Sequence, residues 1–366
     1  MNERKIRVLH VGIDSHLGGI ETYLLKIATY IDKEKYQFNF LAFKGSEPCF
    51  RKELEELGCH FFYIEQRRKN YINYITDLKR LYENKQFDIV HCHMNSLSCI
   101  EPIILALKYG CKVLVHSHNS ANIVSVKSRI LHKIGSYFLP MHKVTRVAVS
   151  DLAGKWMFKN NDFQVLNNGL DVEKFKYNSR SRKEIREELK INKEEEVILH
   201  IGAFRTQKNH SFLIDIFNEY VKTNTNATLF LVGEGVLKDK IKAEVIDRGL
   251  EKKVVFLGQR DDIAELLSGS DKFLFPSLYE GFPNALIEAQ AAGLYCVVAD
   301  TITKQAVFDQ ICCQVSLKAP LNEWIEALQK PAIEKREKCV DFIRKAGLSI
   351  EDEIDRLSKV YNQIID

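Results

Sequence analysis

No Cys-x-x-Cys pair occurs among the nine cysteines of this 366-residue chain, and an odd number cannot all be bridged internally. Cys312 and Cys313 are sequence neighbours, which rarely bridge one another. A disulfide scaffold and structural zinc are thereby excluded, and a reduced, cytosolic protein is expected. No uncharged run approaches the ~18–20 residues that a membrane-spanning helix needs. The opening Met1-Asn2-Glu3-Arg4-Lys5-Ile6 leads straight into a strand and leaves no room for a signal peptide. G-x-G-x-x-G is missing, which disfavours a dinucleotide oxidoreductase. Low-complexity segments and visible sequence repeats are missing too. One stretch lacks acid: residues 102–150 hold seven Lys or Arg and no Asp or Glu.

That gap belongs to a wider asymmetry. Residues 1–170 carry 24 Lys and Arg against 16 Asp and Glu, a net of +8, while the remainder carries 29 against 33, a net of −4. Two readings stand. The basic half is a solvated face, or it meets something anionic such as a membrane surface or a lipid diphosphate. No nucleic acid is expected among the partners. A hydrophobic content of 45% and a charged content of 28% are those of a globular protein. The length exceeds one ordinary core, so two domains are expected.

Short apolar strands alternate with amphipathic helices, the pattern of a parallel α/β sheet covered on both faces. The first half places strands at 7–13, 38–43, 60–64, 88–91, 112–116 and 146–150. Helices fall between them, among others at 71–82, 97–107 and 127–138. Near residue 167 strand and turn chemistry gives way to a charged stretch, and a second set begins. Its strands lie at 197–201, 228–232, 254–257, 272–275, 295–299 and 313–315. Helices at 323–329, 335–345 and 351–365 close the chain.

The second set is organised around Pro276-Ser277-Leu278-Tyr279-Glu280-Gly281-Phe282-Pro283 and the helix that follows it. Strand, tight loop and helix put backbone N–H groups and a positive dipole end at the sheet edge, which suits an anion. Glu280 and Glu288 stand eight positions apart. On one helix they would be roughly 12 Å apart, too far for a hydrolytic pair, so they hold different parts of an elongated ligand.

Other strand ends carry polar groups. Gly18-Gly19 lies between the first strand and its helix, as a close approach to a ligand or as a plain tight turn. Glu21 follows as a first-turn acid. His116-Ser117-His118-Asn119 ends one strand, with both histidines on one face; no nearby Cys, Asp or Glu completes a metal-ligand set. His91-Cys92-His93 ends another and reads as a satisfied structural pair. Lys155-Trp156-Met157-Phe158-Lys159 reads as core packing, with membrane contact as the alternative.

The pattern Pro-Ser-x-x-Glu-Gly-Phe-x-x-x-x-x-Glu-Ala resembles the Glu-x7-Glu signature of the retaining glycosyltransferases of family GT4. The resemblance implies the GT-B fold: two Rossmann-like domains facing each other across a cleft, with a C-terminal helix crossing back. Residues 1–167, 168–348 and 349–366 would be the acceptor-side domain, the nucleotide-sugar domain and that helix. It further implies transfer of a hexosyl or N-acetylhexosaminyl group from a nucleoside-diphosphate sugar, a UDP-sugar, to a lipid-linked saccharide, with no metal or other cofactor; the basic face of the first domain adds the expectation of a peripheral contact on anionic membrane. On matching positions, Lys208 and Arg205 bind the diphosphate and Gly18 and Gly19 approach it. Glu280, with Gly281 and Phe282, holds the donor sugar, Glu288 holds the ribose diol, and His118 steadies sugar or acceptor. The segment Leu257-Gly258-Gln259-Arg260 contacts the base. Gly-Ala-Phe-Arg departs from the family's usual Gly-Arg-Phe, so Arg205 must reach the phosphates from two residues further on. Two rivals on the same fold remain open, a nucleotide-sugar epimerase and a non-catalytic partner subunit.

Overall fold

The computed structural model describes residues 4–84, 87–119 and 126–365. The chain forms two compact units, Met1–Asn168 with Ile350–Asp366, and Gly169–Ser349.

Among the described residues seven strands build the first unit: β1 (Ile6–Val11), β2 (Tyr36–Phe43), β3 (His60–Ile64), β4 (Ile89–Met94), β5 (Lys112–Ser117), β6 (Thr145–Ala148) and β7 (Gln164–Val165). All pair in parallel, in the order β3-β2-β1-β4-β5-β6-β7. The order reverses between β1 and β4, so their carboxyl ends flank the crevice where open α/β sheets bind ligands. Gly12 follows β1 there with φ +129°, and a Cβ on it would meet the His93 carbonyl oxygen at 2.5 Å. Only glycine lets the two strand exits pass so closely.

The helix Ile350–Ile365 belongs to this unit and packs on the helix Gly19–Tyr30 and on β4. Leu357, Val360, Tyr361 and Ile364 recur at i, i+3, i+4 and i+7 and join Val8, Leu24 and Ile27 in one core. Each such side chain contributes roughly 1.5–3 kcal/mol by leaving water. Lys26 Nζ also meets the buried Glu353 carboxylate at 2.8 Å.

Six strands build the second unit: β8 (Glu196–Ile201), β9 (Ala227–Val232), β10 (Val254–Gly258), β11 (Lys272–Phe275), β12 (Tyr295–Ala299) and β13 (Cys312–Val315). They run in parallel in the order β10-β9-β8-β11-β12-β13, and this order reverses between β8 and β11. Leu213, Phe217, Leu231 and Trp324 pack one face, and Leu199, Phe273, Leu286 and Val298 the other. With both faces covered, β9 and β11 are buried along their whole length, as their mostly apolar runs require, and the one charged member, Lys272, is paired with Glu196 at 2.7 Å.

Some element limits differ from the sequence reading. The helix expected at 97–107 begins only at Glu101, because Pro102 has no N–H to give and fits only a first turn. The helix expected at 335–345 is split into a short turn, Arg336–Lys338, and Val340–Lys345. At the split the Arg336 guanidinium is buried, donating to the carbonyls of Leu267, Ser268, Ser270 and Ala292. Met157 and Phe158 are wholly buried, so the 155–159 segment is core. None of the nine cysteines, all of them among the described residues, is in a disulfide.

Candidate functional site

In the second unit the two loops at the sheet's reversal point bring Lys208 and Glu280 together. After β8 the chain passes Gly202 and turns through Thr206–Lys208; Asn209, at φ 56°, then opens the helix His210–Thr223. A Cβ at Gly202 would lie 2.9 Å from the Lys208 stem, so the missing side chain lets that stem lie across the strand end. The loop after β11 is tied to this turn by Leu278 N–H donating to the Gln207 carbonyl at 2.8 Å and Asn209 Nδ2 donating to the Pro276 carbonyl at 3.2 Å.

Between the loops Lys208 Nζ donates to Glu280 Oε1 at 2.8 Å. Gln207 Nε2 donates to Glu280 Oε2 and to the Tyr279 carbonyl, both at 3.0 Å. The ammonium also stands 4.5 Å from the centre of the Phe275 ring. Glu280 is 7% exposed, a buried carboxylate held by a cation and an amide. An ammonium has three donors, so Lys208 keeps two beyond the Glu280 bond for a further anion.

The other assigned residues take varied places. Gly281 and Phe282 are buried in the loop, and Glu288 is half-buried on the helix Asn284–Ala291. That helix spends several N–H groups on itself: Asn284 donates to the Phe282 carbonyl, and Leu286 and Ile287 to that of Pro283. Arg205 is exposed, and among the described residues no carboxylate engages its guanidinium. Gly258 ends the edge strand β10 with φ +70°. Arg260 beside it is committed elsewhere, donating to Asp262 Oδ1 at 2.7 Å and to Glu188 Oε1 at 3.0 Å, and these carboxylates raise its pKa.

In the first unit Gly18 is the extended residue that starts the helix Gly19–Tyr30, and space for a side chain is open at Gly19. Glu21, at the third helical position, accepts from Asp14 N–H at 3.1 Å and lies close over Gly18, in the manner of a capping box. Burial raises the Glu21 pKa.

The histidines assemble into something the sequence reading had divided into separate pairs. His10 Nδ1 and His93 Nε2 are 2.9 Å apart, and His93 Nδ1 and His118 Nε2 are also 2.9 Å apart. A second line runs from the Tyr361 hydroxyl to His91 Nδ1 at 2.8 Å, and from His91 Nε2 to His116 Nδ1 at 3.2 Å. Burial holds all five rings neutral, pushing His10 and His118 down to about 3. His116 and His118 do acquire a third imidazole within metal-ligand reach, His93, which only the pairing of β4 with β5 supplies. His93 also walls a cavity of about 190 Å³ with Leu41, Phe43, Tyr74 and Met94; no Lys or Arg lines it, so it suits an apolar group rather than a phosphate.

The comparisons with known proteins cover both units. The family model described as "Glycosyltransferase Family 4" matches residues 17–174, and that described as "Glycosyl transferases group 1" matches residues 181–346. A Bacillus subtilis protein named "Putative glycosyltransferase EpsF" is 29% identical over 99% of this chain and 98% of its own length. The Escherichia coli UDP-Gal:alpha-D-GlcNAc-diphosphoundecaprenol alpha-1,3-galactosyltransferase is 24% identical over 99% of this chain and 98% of its own. Among solved structures, Anabaena Alr3699/HepE in complex with UDP and glucose superposes with a TM-score of 0.79 at 16% identity, over 98% of this chain and 100% of that one. Two parallel sheets with the reversal point in each, the Glu280-x7-Glu288 loop and helix, and matches spanning both halves make this chain a GT4-family glycosyltransferase with the GT-B fold.

Proposed function

We propose that the enzyme transfers a hexosyl or N-acetylhexosaminyl group, with retention, from a UDP-sugar to a lipid-linked saccharide during synthesis of a cell-surface polysaccharide. The observation that carries this reading is the Lys208–Glu280–Gln207 cluster at the β8/β11 reversal point, a fixed cation beside a fixed sugar-binding acid. The relatives support the substrates: one is named for the use of UDP-Gal on a diphosphoundecaprenol-linked sugar, and one from Staphylococcus aureus is named a capsular polysaccharide biosynthesis glycosyltransferase.

In this mechanism the bond from the sugar's anomeric carbon to the donor phosphate breaks. A bond from the acceptor hydroxyl forms on the same face through an oxocarbenium-like state. The leaving phosphate oxygen takes the hydroxyl proton, so no protein base is needed. Lys208 and Arg205 neutralise the leaving diphosphate, while Glu280 holds sugar hydroxyls through the carboxylate that Gln207 steadies. Glu288 takes the ribose diol, and the Gly258–Arg260 turn meets the base through its backbone, the Arg260 side chain being engaged elsewhere. In the first unit His118 and the Gly18-Gly19 backbone are assigned to substrate contacts. These cations and helix N-termini supply the neutralising charge without a metal cofactor.

A thermal-shift panel of UDP, GDP and ADP with their sugars, run on the wild type and Glu288→Ala, tests the donor. A ligand at 100 times its dissociation constant stabilises the folded state by roughly 2.7 kcal/mol. The expected result is a shift with the uridine compounds alone, lost in Glu288→Ala. No shift with any nucleotide would favour the non-catalytic subunit instead.

The same reading places the first unit against anionic lipid on the cytoplasmic face. Among the described residues no helix is long and apolar enough to cross a membrane. The helix Val126–Phe138 turns His132, Gly135 and Leu139 beyond it inward, and exposes Ile130, Ile134, Tyr137 and Phe138 at 53%, 49%, 84% and 66%. Arg129 and Lys133 flank that apolar face within the acid-free 102–150 stretch, the arrangement of an interfacial helix. Sedimentation with phosphatidylglycerol-containing vesicles is expected to exceed that with phosphatidylcholine alone, and to fall with salt and in Tyr137→Ser/Phe138→Ser. Equal sedimentation with both vesicle types would count against this contact.

A further inference from the structure

The histidine cluster holds information that the assignment of His118 alone does not use. His118 stands after β5, and its Nε2 is tied at 2.9 Å to His93 Nδ1 on β4. His93 Nε2 is tied in turn to His10 Nδ1 on β1. Each neutral imidazole has one N–H and one bare nitrogen, and each N···N contact accommodates a single proton. Only two arrangements therefore satisfy both contacts. Either all three rings carry the proton on Nε2, or all three carry it on Nδ1. A ring that departed from its neighbours would set two N–H groups, or two lone pairs, against each other in the core.

We propose that His93, held by His10, is a positioning residue that locks the ring plane and tautomer of His118, leaving Nδ1 as the one ring nitrogen His118 offers to a ligand. Packing reinforces the lock. The Tyr23 ring stands edge-on to His118 at 5.1 Å and the His116 ring lies 4.1 Å from it. His10 is fully buried beside Phe38 and Phe40, and its Nε2 has no partner. That unmatched nitrogen is tolerated at the far end of the line, where water cannot enter and offer an alternative bond. The line thus carries no charge and ends in apolar packing, which suits it to fixing orientation rather than conducting protons. His91 and His116 form a separate hydrogen-bonded line ending on Tyr361, which touches His93 by ring packing, at 4.0 Å from His91, and not by a hydrogen bond.

The consequence is chemical. A sugar hydroxyl can donate or accept, but His118 Nδ1 does only one of these, chosen by the two rings bonded in line behind it. This inference rests on the proposed function for what the ligand is, and not for the lock itself.

Two measurements keep those apart. The first is ¹⁵N–¹H correlation of the histidine rings in the intact protein, with and without UDP. The inference expects His10, His93 and His118 to show one common tautomer at neutral pH, and His118 to lose its single form in His93→Leu. His93→Gln, whose amide both donates and accepts, is expected to restore it. Mixed tautomers across the three rings, or an unchanged His118 signal in His93→Leu, would overturn the lock. So would one equivalent of zinc or another transition metal found by elemental analysis, because the same nitrogens would then be ligands. The second measurement is kinetic. With a competent donor, His93→Leu is expected to lower kcat about ten-fold with little change in the UDP-sugar KM, and His93→Gln to recover most of it. A loss not recovered by Gln would make His93 merely structural. If no donor is turned over by the wild type, the proposed function fails while the ring signals still decide the lock.

Discussion

Lys208→Ala is expected to lower turnover by ~10²-fold or more, the effect of losing ~3 kcal/mol of transition-state stabilisation at a departing diphosphate. Charge develops on the leaving group only as the glycosidic bond breaks, so the loss should fall on kcat more than on donor KM. The geometry adds a complication that must be separated from catalysis. Removing the ammonium leaves the Glu280 carboxylate, 7% exposed, beside Gln207 but without its cation, and a buried charge that loses its counter-ion destabilises the fold. Lys208→Ala/Glu280→Gln removes that charge as well. The double variant should regain thermal stability relative to Lys208→Ala without regaining activity. Activity that returned together with stability would mean that Lys208 serves the fold alone, and an unchanged rate in Lys208→Ala would remove it from the mechanism.

The alternation of strands and helices, and the change of character near residue 167, were legible because parallel strands buried on both faces must be continuously apolar. β9, Ala-Thr-Leu-Phe-Leu-Val, is apolar but for a β-branched threonine and is short enough to read as a buried strand. Less legible was the helix Ser179–Glu188, whose nine polar or charged residues surround a single buried aliphatic side chain, Ile185. Its stability comes from Asn178, which caps Arg180 and Ser181, and from Arg182 and Arg186 bonding to Asp271 and to carbonyls. Such contacts leave no periodicity to detect. Lys208 and Glu280 could each be picked out by their motifs, but their 2.8 Å pairing depends on β8 and β11 being neighbours. The histidines show the same limit. His91-x-His93 and His116-x-His118 each announce one face of a strand, whereas their union with His10 is a property of sheet order. Local spacing tells which way a side chain points and not which strand lies beside it.

That buried histidine cluster makes the first unit acid-sensitive. Each of the five rings is neutral in the folded state, with its pKa driven below the ordinary value of about 6.5 by loss of water, and each gains a proton freely once unfolded. The folded pKa is the depressed one, so the stability that these groups contribute is present above pH ~6.5 and is lost as pH falls toward their folded values. For His10 and His118 the window runs down to about 3. One proton taken up on unfolding changes stability by about 1.4 kcal/mol per pH unit, so five together change it by up to about 7 kcal/mol per unit. A domain's whole stability is of order 5–15 kcal/mol, which places collapse of this unit within roughly two units below 6.5. The neighbouring tyrosines do not offset this, because Tyr23 and Tyr361 are held neutral by burial. The second unit has two such rings, His200 and His210, the latter pushed down to about 4, so it should outlast the first. An acid titration followed by near-ultraviolet circular dichroism should therefore show two steps, and His10→Phe/His93→Leu should move the earlier one to lower pH. A single step below pH 4 would mean that the buried rings take up protons without unfolding, through water that enters the core as they charge.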